Sequence, residues 1–352
     1  MNQSWAVRME RFDFLPGMLE EAIAAGAFPS AAAAVGRHGK TLFAHAAGKL
    51  SLPGGEPANL DTRYDLASMT KIIAPTMLAL MAIENGLLAL DDTLSRFLDA
   101  PCDKADITIY HLMTHTSGIT PGFLLEKVCK DPAEAPSAIL AHPLEGPPGQ
   151  MPRYSCMGYI LLGFVLEHVY GKPLNVLAQE LVLAPLGMAH TGYRPQGENI
   201  AATEVDHDTG IPWQGIVHDE NARFLKGVSA NAGLFSDIGD CMRFAKVLAE
   251  GGAPLVSPAT LRLAIKDRTP EHAVHRGLGF HVSGGTGSFL GDLFPAAAYG
   301  HTGFTGTSLA VDPETGLYAV LLTNAVHPKR GNPALQRFRR LFHNRVYAAA
   351  FK

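Results

Sequence analysis

Cysteine is scarce in this chain. Among 352 residues there are four, Cys102, Cys129, Cys156 and Cys241, and none forms a Cys-x-x-Cys pair. That pattern excludes a disulfide-built scaffold and suits free thiols in a reducing compartment. A secretory leader is not visible either: Met1 to Phe14 carries charge throughout and has no apolar core followed by a small-residue cleavage site, so a cytoplasmic location is expected. Long apolar runs are also missing. The most apolar stretch, Ile72 to Ile83, is broken by Pro75 and is too short to span a bilayer, so no membrane association is expected. Charge of one sign is not in excess, with 29 basic against 33 acidic residues and a net charge of −4. Such a balance creates no field that would recruit nucleic acid. No glycine-rich phosphate loop or dinucleotide fingerprint follows a strand, so no organic cofactor is implied. Internal repeats and low-complexity tracts are absent.

Apolar residues are plentiful. At 47% hydrophobic and 18% charged, the chain can bury a substantial core, and its length corresponds to roughly two domains' worth of residues. The periodicity predicts a helix over Leu15 to Gly26, then strands over Ala31 to Gly36 and Thr41 to Ala47 joined by a turn at Arg37-His38-Gly39-Lys40. From Ser68 to about Glu250 the signal is mainly helical, with helices predicted at Ile72 to Asn85, Tyr154 to Tyr170, Pro173 to Val182 and Ile238 to Glu250. Strand patterns return at Gly279 to Val282, Ser308 to Val311 and Tyr318 to Thr323, and a last helix is predicted over Pro333 to Ala349. Arg337, Arg339, Arg340 and Arg345 lie on that helix and read as its solvated face.

The strongest chemical signal is Ser68-Met69-Thr70-Lys71. Helical spacing brings a hydroxyl and an amine three residues apart onto one face, one turn from each other. The extended entry Tyr64-Asp65-Leu66-Ala67 and the apolar helix beyond place Ser68 near a helix N-terminus. Unpaired N–H groups there can stabilise an oxyanion. Metal chemistry has less support. His111 and His115 have a spacing that can ligate zinc, but no third ligand accompanies them and Thr116-Ser117-Gly118 ends the helix, so no metal is expected.

Two further segments extend the Ser68 signal: Tyr154-Ser155-Cys156 at the head of an apolar helix, and Gly300-His301-Thr302-Gly303 between two segments that read as paired strands. With Leu112 to Gly118 and Ala232 to Ser236 in between, this order resembles the serine β-lactamase and penicillin-binding-protein superfamily, in particular its class C and esterase-like branch. The resemblance covers nearly the whole chain. It implies an α/β (α+β) fold, an antiparallel sheet flanked by helices with an inserted, mainly helical region. The catalytic unit would span residues 12–350, with the α/β part at 12–66 and 258–350 and the helical part at 67–257. The active site would lie in the crevice between them.

By this resemblance Ser68 attacks a carbonyl carbon and forms an acyl-enzyme. Either Lys71 or Tyr154 is the base, and the residues alone leave that choice open. The backbone N–H groups of Ser68 and Phe304 would form the oxyanion hole, with Gly303 letting substrate approach the strand edge. His301, Thr302 and Gly303 would border the substrate. Two positions depart from the family. His301 stands where penicillin-recognising members usually carry lysine, and a histidine mostly neutral at pH 7 relaxes any demand for a substrate carboxylate. Cys156 stands where asparagine is usual, and a thiol cannot both donate to a substrate carbonyl and accept from Lys71, so recognition of amides should weaken.

A weaker likeness, carried by residues 215–222 with His218 and Asp219, points to a branch that hydrolyses cell-wall fragments. Those two side chains either line the substrate pocket or pin a long loop. The expected partner is a small ester or amide, cell-wall fragments included, with esters favoured. The alternatives are a muropeptide amidase, a D-amino-acid-specific peptidase, and a non-catalytic penicillin-recognising binding or sensor protein.

Overall fold

Ser30 to Gly36 reads Ser-Ala-Ala-Ala-Ala-Val-Gly, and a strand of such small side chains lets packed layers come close on both of its faces. The computed structural model describes residues 11–285 and 288–352. Its strands are β1 (Ser30–Arg37), β2 (Lys40–Gly48), β3 (Tyr64–Asp65), β4 (Gly192–Tyr193), β5 (Leu234–Ser236), β6 (His281–Val282), β7 (Tyr299–Thr302), β8 (Ser308–Asp312) and β9 (Leu317–Thr323). Six of them form an antiparallel sheet in the order β2-β1-β9-β8-β7-β6, and β3-β5-β4 form a small second sheet. The longer helices are α1 (Phe14–Ala24), α2 (Pro75–Glu84), α3 (Cys156–Tyr170), α4 (Ile238–Ala249) and α5 (Ala334–Ala350).

The two-residue period of the strands divides the core. Ala31, Ala33 and Val35 of β1, with Leu317, Ala319 and Leu321 of β9, pack with Leu15 and Leu19 of α1 and Phe338 and Phe342 of α5. The alternate residues Ala32, Ala34, Val320 and Leu322 join the larger cluster that includes Phe244 and Leu248 of α4 and the helical part of the chain. The sheet is thus an antiparallel layer covered by helices on both faces, in a mixed α/β arrangement, as expected.

The departures from the predicted elements lie close to the site. The helix predicted over Ile72 to Asn85 is interrupted: a short turn of helix, Thr70–Ile73, is followed by α2 after a break at Ala74. Pro75 has no N–H to continue the ladder. Ser68 itself sits in a 3₁₀ turn, Ala67–Met69, and Ala67 before it has φ +45°. A left-handed alanine is costly and persists only where its surroundings hold it; here Asp65 Oδ1 accepts the Ala67 N–H at 2.8 Å. Helix α3 starts at Cys156, not Tyr154, because Ser155 caps it through Gly158 N at 3.0 Å. Tyr154 is therefore free of the helix. After Leu174–Leu177, the predicted helix continues as a wide π turn, Ala178–Leu183. Gly300-His301-Thr302 does not link two strands; it belongs to β7. The apolar stretch Ala67–Glu84 is 78% buried within the protein, as a core segment. Cys129 and Cys241 are buried, Cys156 is half-buried and Cys102 is exposed, all as free thiols.

Candidate active site

The broken helix after β3 brings Lys71 beneath Ser68. Lys71 is fully buried, and its Nζ lies 3.1 Å from Ser68 Oγ, 2.7 Å from the Asn231 carbonyl oxygen and 3.6 Å from Cys156 Sγ. An ammonium has three protons and nothing to accept with, and each proton here has an acceptor. Burial alone would push Lys71 down, but the acidic groups Cys156 and Tyr154 beside it outweigh that and hold it above its ordinary range. In the resting protein Lys71 is a donor.

Tyr154 lies across from it. Its ring centroid is 5.0 Å from Lys71 Nζ and 5.1 Å from the Arg276 guanidinium carbon. His115 packs against it at 4.6 Å and stacks on Tyr159 at 5.0 Å. The Tyr154 hydroxyl is buried with no hydrogen-bond partner among the described residues. Burial raises its pKa, and the Lys71 charge offsets part of that rise. A buried, unpaired hydroxyl beside a cation is an unusual state that a reacting group can satisfy. His111 is elsewhere, with Nδ1 accepting Thr108 N at the start of its own short helix, so the two histidines with zinc spacing serve separate local structures.

The chain beyond β7 turns tightly. Gly303 N donates to Thr307 O at 2.8 Å, Thr305 Oγ1 donates to Asp65 O at 2.7 Å and Thr307 Oγ1 to Leu66 O at 3.1 Å. These bonds tie the turn to the segment that presents Ser68. They also give Gly303 a role beside the expected one: a Cβ there would lie 2.4 Å from Leu66 O and 2.1 Å from Thr307 Oγ1. Glycine is needed so that two stretches of this chain can touch. The Phe304 N–H meets no acceptor among the described residues, and the Phe304 ring, 58% exposed, stands beside the cleft.

His218 and Asp219 do not border that cleft. The His218 backbone N–H donates to Asp65 Oδ2, its Nε2 pairs with Glu204 Oε2 at 2.9 Å, and its ring stacks on Phe304 at 5.7 Å. Asp219 caps a five-residue helix by accepting Ala222 N. Of the two roles expected for them, pinning the loop is the one their contacts match. Cys156 contacts Lys71 but is not among the cleft-lining residues, whereas His301, Thr302, Gly303 and Phe304 are. The cleft holds about 580 Å³ and is also lined by Ser68, Tyr154, Arg276 and Arg339.

Those two arginines escaped the sequence reading, and Arg339 contradicts it: it is buried, not on a solvated helix face. Arg276 is 5% exposed and contacts His281 Nε2 at 3.0 Å, with no carboxylate at ion-pair distance among the described residues. Its sequence neighbours, His275 and Gly277, form no motif that marks it. The histidines around it are neutral. Burial, then the charges of Lys71 and Arg276, pushes His301 down to about 3, and burial puts His115 and His281 well below the usual range. The sign follows: neutral throughout, they do not titrate as pH rises. We therefore expect the pH–rate profile to lack a histidine limb between about pH 5 and 8, which a stopped-flow titration would check.

Residues 16–343 match the β-lactamase family. A protein of Escherichia coli K12 named "Putative D-alanyl-D-alanine carboxypeptidase" is 33% identical over 318 residues, covering 78% of this chain and 72% of that protein. Among solved structures, one described as "EstCE1, a hydrolase with promiscuous acyltransferase activity" has a TM-score of 0.78 at 23% identity, covering 98% of this chain and 99% of its own. A penicillin-binding protein homologue from Caulobacter crescentus has a TM-score of 0.76 at 21% identity, covering 97% of each chain. The chain belongs to the β-lactamase family and has its fold. It is a serine hydrolase.

Proposed function

We propose that this protein hydrolyses small peptide amides or esters that carry a free carboxylate near the scissile bond, the D-alanyl peptide class included. The observation that carries this reading is Arg276, a buried cation with no acidic partner among the described residues, in the same cleft as Ser68. A charge buried in this way is costly unless something pairs with it, and a substrate carboxylate would do so. The names of the carboxypeptidase-like relatives agree with that chemistry. Neutral His301 cannot supply the cation that lysine supplies elsewhere in the family; Arg276 takes that place from another part of the chain.

In this reading Ser68 Oγ attacks the carbonyl carbon, and its proton passes to Tyr154 in the fraction of the protein whose phenol has ionised beside the Lys71 ammonium. The oxyanion accepts from the N–H groups of Ser68 and Phe304. Tyr154 returns the proton to the leaving amine or alcohol, and water then attacks the acyl-enzyme by the same route in reverse. Cys156 favours a second reading of the same site, with short acyl esters as good substrates, because its thiol is a weak partner for an amide.

The test pairs an N-acyl-D-alanyl-D-alanine with its C-terminal amide and with a neutral p-nitrophenyl ester. Arg276→Ala is expected to lower kcat/KM on the free acid about a hundredfold further than on the neutral ester, the order of a lost charge-assisted pair. Equal turnover of acid and amide by the native protein, or an equal loss on all substrates, would remove the carboxylate from the proposal.

A further inference from the structure

Arg339 reaches the site from α5, at the far end of the chain. It is 8% exposed, and burial pushes its guanidinium down to about 10. Among the described residues no carboxylate lies at ion-pair distance from it. Its Nη2 instead donates to two backbone carbonyls, Gly303 O at 3.2 Å and Thr307 O at 3.3 Å. The first of these oxygens has a special position, because Gly303 C=O and Phe304 N–H are the two ends of one peptide group.

A cation bonded to an amide oxygen draws electron density from the nitrogen at the other end, so that its N–H becomes a stronger donor. Hydrogen bonds in a chain polarise one another in this way by roughly 10–30% each, and more where one member is charged and the surroundings exclude water. The second bond, to Thr307 O, fixes the other end of the same turn, since Thr307 O also accepts from Gly303 N. One guanidinium amine, Nη2, holds both carbonyls at once; the planar group fixes the direction of that amine, which the flexible ammonium of a lysine would do less well.

We propose that Arg339 is a positioning residue for the oxyanion hole, which orients the Gly303–Phe304 peptide and polarises it so that the Phe304 N–H donates more strongly to the developing oxyanion. The inference rests on the Ser68 and Phe304 roles given above. Arg276 would act on the substrate's carboxylate, and Arg339 on the reacting carbonyl through a peptide bond.

The two roles separate in an experiment. Native protein, Arg339→Met and Arg339→Lys are each mixed rapidly with a ¹³C-carbonyl-labelled neutral ester and with a carboxylate-bearing ester of the same acyl group. Infrared difference spectra of the acyl-enzyme and steady-state constants are recorded on both. Removing an oxyanion donor outright costs about 100- to 1000-fold, so weakening one should lower kcat by roughly 10- to 100-fold, with a smaller change in KM. The loss should be equal on both esters. The acyl carbonyl stretch of Arg339→Met should move toward its value in the unfolded acyl-enzyme, and Arg339→Lys should recover part of both effects. A loss confined to the carboxylate-bearing ester would overturn the inference, and so would a carbonyl stretch unmoved in an Arg339→Met protein of reduced activity. If the native protein forms no acyl-enzyme on Ser68 at all, the proposed function fails first and the inference falls with it.

Discussion

Ser68→Ala is expected to lower acyl transfer by about a millionfold, the scale found when a serine nucleophile is removed from a working hydrolase. The loss should be almost entirely in chemistry. The Ser68 side chain accepts from Lys71 at 3.1 Å, whereas the turn that presents it is held by Asp65 Oδ1 on Ala67 N and by Leu66 O on Met69 N. The variant should therefore keep the native melting temperature and secondary-structure signal. Intact-protein mass spectrometry after brief exposure to a chromogenic ester should show one acyl adduct on the native chain and none on the variant. Near-normal turnover by Ser68→Ala would end the mechanism proposed above.

The second large effect is expected at Lys71. The proposed mechanism takes Tyr154 as the base, because the three acceptors around the Lys71 ammonium suit it as a donor. The sign follows from the two shifts. Tyr154 is raised by burial and drawn back by Lys71, and activity requires it deprotonated, so the rate should rise with pH as the proton leaves. Lys71→Met removes the charge that holds the phenolate. It should lower kcat by about 1000-fold or more at neutral pH and move the rising limb to higher pH. Tyr154→Phe should lose a comparable factor and show no such limb. The measurement is kcat/KM against pH for the three proteins. A rising limb that persists in Tyr154→Phe and is lost in Lys71→Met would instead make Lys71 the base.

The parts of the site that the sequence revealed are those in which neighbours along the chain are neighbours in space. Ser68 and Lys71 meet across one turn of chain, and His301-Thr302-Gly303-Phe304 forms one continuous strand end. The strands at Ala31 to Gly36, Thr41 to Ala47 and Tyr318 to Thr323 were legible for the same reason: each is a short apolar run bounded by turn residues, readable from its own neighbours. What stayed hidden depended on packing. Arg339 was read as solvated because α5 places other arginines nearby, and only the approach of its helix to the turn after β7 distinguishes it. Arg276 has no motif around it. Gly303 was recognised beside the substrate but not for its contact with the Leu66 carbonyl, which comes from a distant part of the sequence. His218 sits in a polar run that suggested substrate contact, yet its partners are Glu204 and Asp65.

The position of β9 has a consequence for how the molecule comes into being. Strands β1 and β2 can pair as soon as they are made, and β7 can pair with β8, but the two pairs belong to one sheet only when β9 enters between β1 and β8. Ser30 N then meets Asn324 Oδ1, 294 residues away along the chain. Closing so long a loop is slow, and it leaves strand edges open in the meantime. The β1–β2 and β7–β8 pairs therefore depend on β9 before they share one sheet. Ser68 and Phe304, 236 residues apart in the chain, owe their nearness to contacts of the same long range, the Thr305 and Thr307 hydroxyls on the Asp65 and Leu66 carbonyls.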